Sequence, residues 1–193
     1  MKKVILVLSV FLALAFTDKI VYNDTNILIT SESELLIEGK TNISYFKCEF
    51  NTNEITKPIP IYYNVNDDKI VFEKAKLTLD NECFDCGSKG INKDFRALLK
   101  TDEYPEIELF LKEVNGDDDS VNALLELFIA GKSQSYFIPL TVSKEDTDHI
   151  FVSGVLKLNI ADFDLVPPKK VFGLIKVSEH IEIDFKLNLI ECE

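Results

Sequence analysis

Four cysteines, two histidines and a few clustered aspartates are the residues of this 193-residue chain whose types could do chemistry. Cys83-Phe84-Asp85-Cys86 has the spacing of a redox pair, but no alternating strand and helix pattern flanks it. The Asp85 carboxylate would also raise the thiol pKa values and oppose activation. A zinc site usually wants two close pairs, and Cys48 and Cys192 are far apart in sequence. In an exported chain, four cysteines point first to disulfides. Along a strand Cys83 and Cys86 face opposite sides, so each can bond a different partner. Cys48–Cys86 with Cys83–Cys192 is one of the three pairings that four cysteines permit, and spacing does not choose among them.

The oxygen and nitrogen groups point nowhere sharper. Asp117–Asp119 offers oxygen ligands but lacks the glycine and ligand pattern of a calcium loop, and reads as a solvated hairpin. Asp162 and Asp164 flank Phe163; in extended chain their carboxylates would converge, as general acid–base work requires. His149 falls in a charged turn and His180 on the polar face of the last strand, without a nucleophile or second histidine at suggestive spacing. Asn23-Asp24-Thr25 and Asn42-Ile43-Ser44 match the glycosylation acceptor pattern. These residues predict neither an enzyme nor a metal centre, and no cofactor.

The elements that must position them are nearly all strands. Phe46, Cys48 and Phe50 alternate with Lys47 and Glu49; Ala75, Leu77 and Leu79 alternate with Lys74, Lys76 and Thr78. That is the period of a half-buried strand. The second of these alternations belongs to a strand over Lys69–Asp80, and further strands read at Lys19–Thr30, Glu106–Val114, Val121–Ala130, Gln134–Ser143, Ile150–Ile160, Val171–Val177 and His180–Leu189; Ser31–Gly39 carries an apolar patch, Leu35-Leu36-Ile37, and turns read at Gly131-Lys132-Ser133 and Lys144–Asp148. Asn51–Asn66 is the least regular part, and Pro58 and Pro60 restrict any strand there to an edge. Phe95, Leu98, Leu99 and Ile91 recur at helical spacing, so a short helix starts at Gly90 or Asn92 and stops before Tyr104-Pro105. Eight or so antiparallel strands with one helix mean a barrel or a two-layer sandwich.

Lys2 and Lys3, the apolar run Val4–Phe16 and the small residues at Ala13-Leu14-Ala15 read as a signal peptide over residues 1–15. The run is too short to span a bilayer, which takes ~20 residues, so no transmembrane segment is expected. Residues 16–193 then form one exported domain, periplasmic or extracellular. A net charge of −12 excludes nucleic-acid binding by phosphate neutralisation and opposes adsorption to anionic membranes. Fourteen phenylalanines, no tryptophan and only seven glycines suit a packed β protein.

The run Asp94-Phe95-Arg96-Ala97-Leu98-Leu99-Lys100-Thr101, then Tyr104-Pro105-Glu106-Ile107, resembles the YceI-like family. So do Ala161-Asp162-Phe163-Asp164-Leu165-Val166-Pro167-Pro168, Gly173–Val177 and Leu36–Asn42. The resemblance spans roughly Tyr22–Ile190. It implies an exported lipocalin-like barrel of about eight antiparallel strands with one short helix packed at the barrel. It also implies an isoprenoid-type lipid as ligand, and that Asp162 and Asp164 are structural.

The inward set expected to line the cavity is Phe95, Leu98, Leu99, Ile107, Leu109, Leu111, Leu125, Leu127, Ile129, Leu156, Leu158, Ile160, Ile181, Ile183 and Phe185. An interior of this kind binds an apolar chain because each buried CH₂ contributes about 0.8 kcal/mol. The competing expectation is an exported interaction module whose barrel is filled by its own side chains and takes no ligand.

Overall fold

The structure, a computed structural model, describes residues 22–66, 69–117, 120–144, 149–170 and 174–192. The N-terminal leader reading, the Asp118–Asp119 turn tip and the Lys144–Asp148 turn from residue 145 onward lie outside these.

Thirteen strands form among the described residues: β1 Asn23–Ile29, β2 Glu34–Thr41, β3 Tyr45–Phe50, β4 Ile59–Asn66, β5 Lys69–Lys74, β6 Lys76–Asp80 and β7 Phe84–Asp85. After helix α1, Lys89–Leu98, come β8 Glu106–Asp117, β9 Ser120–Ile129, β10 Lys132–Lys144, β11 His149–Asn159, β12 Lys169–Lys170 and β13 Ile175–Cys192. Eight of them close a ring in the order β1-β4-β5-β8-β9-β10-β11-β13, because β13 pairs back onto β1 through Asn26–Cys192 and Ile29–Leu189. All pairings are antiparallel. Closure of this eight-strand ring decides for the barrel over the sandwich.

Where β1 stops, β2 takes its place beside β13, from Glu34–Lys186 to Thr41–Val177, and β3 and β7 extend the wall beyond it. On the other side β6 takes over from β5 along β8. This upper half of the wall holds the helix and the cavity.

Several expectations are corrected. β4 lies inside the ring and so is not an edge strand, yet Pro60 sits on its one-sided stretch: it faces Asn26 of β1, and the ladder to β5 begins only at Tyr62, so the missing N–H interrupts no second ladder. The single strand expected over Lys69–Asp80 breaks at Ala75, whose carbonyl accepts a hydrogen bond from Leu111 N at 3.0 Å. The two strands expected after the double proline are one 18-residue strand, β13, with a register shift between Val177 and Ile181. There the Ser178 hydroxyl accepts from His180 N at 3.0 Å, a local bond that competes with the ladder. The turn after β9 uses Ala130 (φ 49) and Gly131 (φ 78), the paired positive angles of a two-residue hairpin, one step earlier than expected. Gly131 also lies where a side chain would strike the Tyr104 ring, 2.7 Å from the position of a Cβ.

The helix begins at Lys89 with Ser88 as its N-cap, the Ser88 hydroxyl accepting from Ile91 N at 3.3 Å. Gly90 and Asn92 are therefore not its starters. Ile91 is exposed, since the first turn overhangs the core. Asn92 instead ties the helix to the preceding strand: its Oδ1 accepts from Cys86 N at 2.6 Å and its Nδ2 donates to Asp85 at 3.0 Å. The chain leaves the helix through Lys100 in left-handed geometry (φ 54), with Thr101 N bonding to Arg96 O. Asn81, almost wholly buried, donates to Tyr104 O at 2.8 Å and so fixes the Tyr104-Pro105 turn that enters β8.

Candidate functional site

Two spaces meet at the upper end of the barrel. The inner one is an apolar cavity of about 70 Å³ lined by residues of β2, β3, β6, β7, β8, β9, β11 and β13, the helix and its end, and the Ile160–Leu165 turn. Ser178 is the one polar residue in that lining. The outer one is a polar groove of about 580 Å³ between β2, β3, β11 and β13.

Of the expected inward set, Phe95, Leu98, Leu99, Ile107, Leu109, Leu127, Ile129, Leu158, Ile160, Ile181 and Ile183 line the inner cavity. Leu111, Leu125, Leu156 and Phe185 do not. Leu156 is buried in the core and the other three pack against it lower in the barrel. Below Leu111 the strand β8 slips by one residue against β9, so that Val114 turns to Ala123. Alternation alone missed Leu35, Ile37, Phe46, Leu79, Phe84, Phe163, Leu165 and Val177, which also line the cavity. Phe46 and Leu79 sit in alternating strands read from the sequence as half-buried, so their signal was present. Phe163 was hidden by the aspartates on either side of it.

The helix lies against the cavity as a shallow cover. None of residues 89–98 is fully buried, yet Phe95 reaches in and packs on Phe84, whose ring meets Phe50 edge-on at 5.0 Å. Below the helix the chain is held by the Cys48–Cys86 disulfide, which lies one register step beyond the Glu49–Asp85 pair of β3 and β7. The partner bond that the sequence allowed is absent: Cys83 and Cys192 are free thiols. Cys83 stands in the turn between β6 and β7 while Cys192 ends β13 beside β1, so the two are held on different parts of the wall. Burial, then Asp80, Glu54 and Glu82, push the Cys83 thiol up, which keeps it protonated and unreactive.

The aspartates do not converge. Residues 160–163 form a 3-10 turn and Asp164 adopts left-handed geometry, which sends the two carboxylates to different partners. Asp164 pairs with Lys132 at 2.7 Å, and that hydrogen bond and charge hold it below the ordinary carboxylate range. Asp162 accepts from the Tyr136 hydroxyl at 3.5 Å on the floor of the outer groove. Burial and then the Asp162 charge push the Tyr136 phenol up to about 12, so it remains a donor at any physiological pH.

Phe46, Leu158, Ser178 and Ile181 belong to both spaces and form the wall between them. Phe46 stands there because Gly39, opposite it in the β2–β3 ladder, has no side chain: a Cβ at Gly39 would lie 2.1 Å from the Phe46 ring. Lys47 pairs with Glu38, and Lys157 with Glu182 at 3.5 Å, along the groove edges. Asn188, expected on the polar outer face of β13, is buried under the Thr30–Ser33 turn. There its backbone N donates to the Ser33 hydroxyl at 2.9 Å. Among the described residues no cluster of three or more metal-ligating side chains occurs, and no helix is long and apolar enough to cross a membrane.

No family model matches the chain, and no curated protein matches it. Solved structures do. A polyisoprenoid binding domain from Saccharophagus degradans superposes with a TM-score of 0.62 at 16% identity, over 90% of this chain and 100% of that one. BcnA of Burkholderia cenocepacia superposes with a TM-score of 0.61 at 18% identity, over 82% of this chain and 96% of that one. A YceI protein of Campylobacter jejuni aligns in part, over 61% of this chain with a TM-score of 0.46. At these identities the likeness is one of fold. That fold is an antiparallel barrel with one short helix, as the sequence motifs lead one to expect.

Proposed function

We propose that the barrel is a non-enzymatic lipid-binding protein that encloses an isoprenoid or similar apolar chain between its upper wall and α1. The observation that carries this reading is a cavity whose lining is apolar at every position but Ser178. Such a space stays dry and gains by taking hydrocarbon, at about 0.8 kcal/mol per CH₂ or roughly 4 kcal/mol per five-carbon unit. The fold it shares with a polyisoprenoid binding domain supports the same reading.

The volume of about 70 Å³ is about half that of an engineered cavity that holds benzene (~150 Å³), so a long chain needs the cover to yield. The helix is built to do so. Its residues 89–98 contain no fully buried side chain, and lifting it exposes chiefly Phe95, Leu98 and the buried Leu99 beyond its end.

The small volume favours a second reading, a filled barrel that acts as an interaction module without ligand. Export belongs to both readings: the Lys2-Lys3 and Val4–Phe16 leader pattern and the Cys48–Cys86 bond suit an oxidising compartment.

Mass spectrometry of the organic extract of the purified chain, followed by uptake of a fluorescent polyene by the stripped protein, separates the two. Enclosure predicts a co-purifying apolar chain and saturable uptake of one probe per protein. A clean extract together with no uptake leaves only the filled module.

A further inference from the structure

The ring of strands is unzipped along part of one seam. β10 pairs with β9 as far up as Lys132–Ile129, and β11 pairs with β13 as far as Asn159–His180. Between β10 and β11 the pairing ends at Leu140–Gly154. Pro139 comes next on β10, and its carbonyl lies toward β11, 3.1 Å from where a Cβ at Gly154 would stand. A strand residue aims its N–H and C=O to the same side, so the donor that Pro139 lacks is the one β11 would have used. Above this point the two strands turn unpaired edges toward each other. Phe137 (69% exposed) and Val155 (38%) stand at the two lips, so greasy side chains flank the opening.

The turn after β11 closes the seam. Residues 160–163 pack on β10, β11 and β13. Phe163, wholly buried, lines the inner cavity, and its ring stacks at 6.4 Å on Tyr136, a residue of the outer groove. Among the described residues, the turn is tied to β10 through three β10 side chains: Gln134 Nε2 donates to Asp162 O at 2.9 Å, the Tyr136 hydroxyl donates to Asp162 at 3.5 Å, and Lys132 pairs with Asp164 at 2.7 Å. Such exposed contacts are individually weak. The turn's own bonds, Ala161 N to Asn159 Oδ1 at 3.0 Å and Leu165 N to Ile160 O at 3.2 Å, stay within the segment, so it can move as a unit. The gap between β6 and β7 is different. Their connecting turn bridges it, and backbone bonds of 2.9 Å hold that turn at both ends, Asn81 N to Pro105 O and Asn51 N to Cys83 O.

We propose that the seam between β10 and β11 is the portal through which an apolar chain passes from the outer groove into the cavity, the 160–165 turn swinging out with Phe163 as its plug. This rests on the enclosure reading: α1 yields to make room for a bound chain, and the seam is where the chain enters. Swinging the turn outward breaks no rung between β10 and β11, whereas a passage between any other pair of ring strands at this height would break a ladder.

The Lys132–Asp164 pair supplies the test, because a water-soluble carbodiimide joins a lysine and a carboxylate in contact as an amide and so staples the seam. The other lysine–carboxylate pairs described join strands that already share a ladder. Stopped-flow uptake of a fluorescent polyene by the full chain is compared for wild type and for Lys132→Gln/Gln134→Ala, each before and after carbodiimide, with peptide mapping to identify the amide. Untreated, the double variant should take up the probe about fivefold faster than wild type, to the same saturation. After treatment wild type should be slowed by about tenfold or more, while the variant, which cannot form the staple, keeps its rate. An unchanged rate in the untreated variant, an unchanged rate in stapled wild type, or equal slowing of both treated proteins overturns the portal and, with uptake still saturable, leaves enclosure standing. No uptake by any sample removes enclosure and the portal with it.

Discussion

Replacing Cys48 and Cys86 together by alanine should cost about 4 kcal/mol of stability. The two residues are separated by 38 positions, and the loop-entropy relation gives about 13 cal/mol/K for a loop of that length, or about 4 kcal/mol at 25 °C. Both half-cystines are buried, so the alanines leave apolar space and no unpaired polar group. Against a total of roughly 5–15 kcal/mol for a domain, this is a large share. Urea unfolding of the full chain, followed by circular dichroism, reads it directly. With a slope of about 2 kcal/mol/M the midpoint should fall by about 2 M. Wild type unfolded with reductant present should coincide with the double variant, since the same constraint is lost. Cys192→Ala should stay within about 0.5 kcal/mol of wild type, because that thiol is free, half-buried and held by a weak bond to Ile190 O at 3.7 Å. The double variant should also take up a polyene probe faster, because Cys86 lies two residues before the Ser88 cap and the bond anchors the start of the helix to β3. A midpoint shift below about 0.5 M, roughly 1 kcal/mol, would refute the claim that this bond holds the cover to the wall.

Leu127→Ala removes a side chain that is 1% exposed in the cavity lining; it should cost about 2–5 kcal/mol by thermal unfolding and increase probe capacity. Gly39→Ala places a Cβ against the far end of the Phe46 ring, so the ring must swing away while the backbone stays. It should cost about 1–3 kcal/mol and accelerate probe uptake in stopped flow by joining cavity and groove. Tyr136 is held up at about 12 against an ordinary value of 10.0. The folded chain therefore keeps that proton where the unfolded chain loses it. Its contribution is complete below pH 10 and disappears as pH rises through 12. Tyr136→Phe should flatten this part of the stability profile, measured by urea unfolding at stepped alkaline pH.

Much of the wall was legible because a half-buried strand advertises itself every second residue. Ile181, Ile183 and Phe185 of β13, and Ile107 and Leu109 of β8, turn the same way in the barrel as in the pattern. The helix was legible from Phe95, Leu98 and Leu99. Its start was not, because Ser88 follows a glycine and reads as turn until its hydroxyl is seen on Ile91 N. The pairing of Cys48 with Cys86 needed the register of β3 against β7, a relation between segments that no local spacing encodes.

Openness of the interior is harder still, because it is decided where the alternation fails. Ala75 divides one apparent strand into two that serve different halves of β8. Below Leu111 the β8–β9 ladder slips, and at Ser178 the β13–β2 ladder slips. Across the break at Ala75 and the one-residue slip below Leu111, side chains change faces relative to the pattern before, whereas the β13–β2 shift spans two residues and leaves Val177 and Ile181 both on the cavity face. The first two slips end the cavity below Leu109, and the third places Ser178 and Ile181 in the wall between cavity and groove. A period of two predicts which side chains are greasy and inward. Whether they leave room for a guest depends on these phase changes, on the missing Cβ of Gly39 and on a helix held by Cys86 and Asn92, so the volume of the interior is a property of the irregular residues.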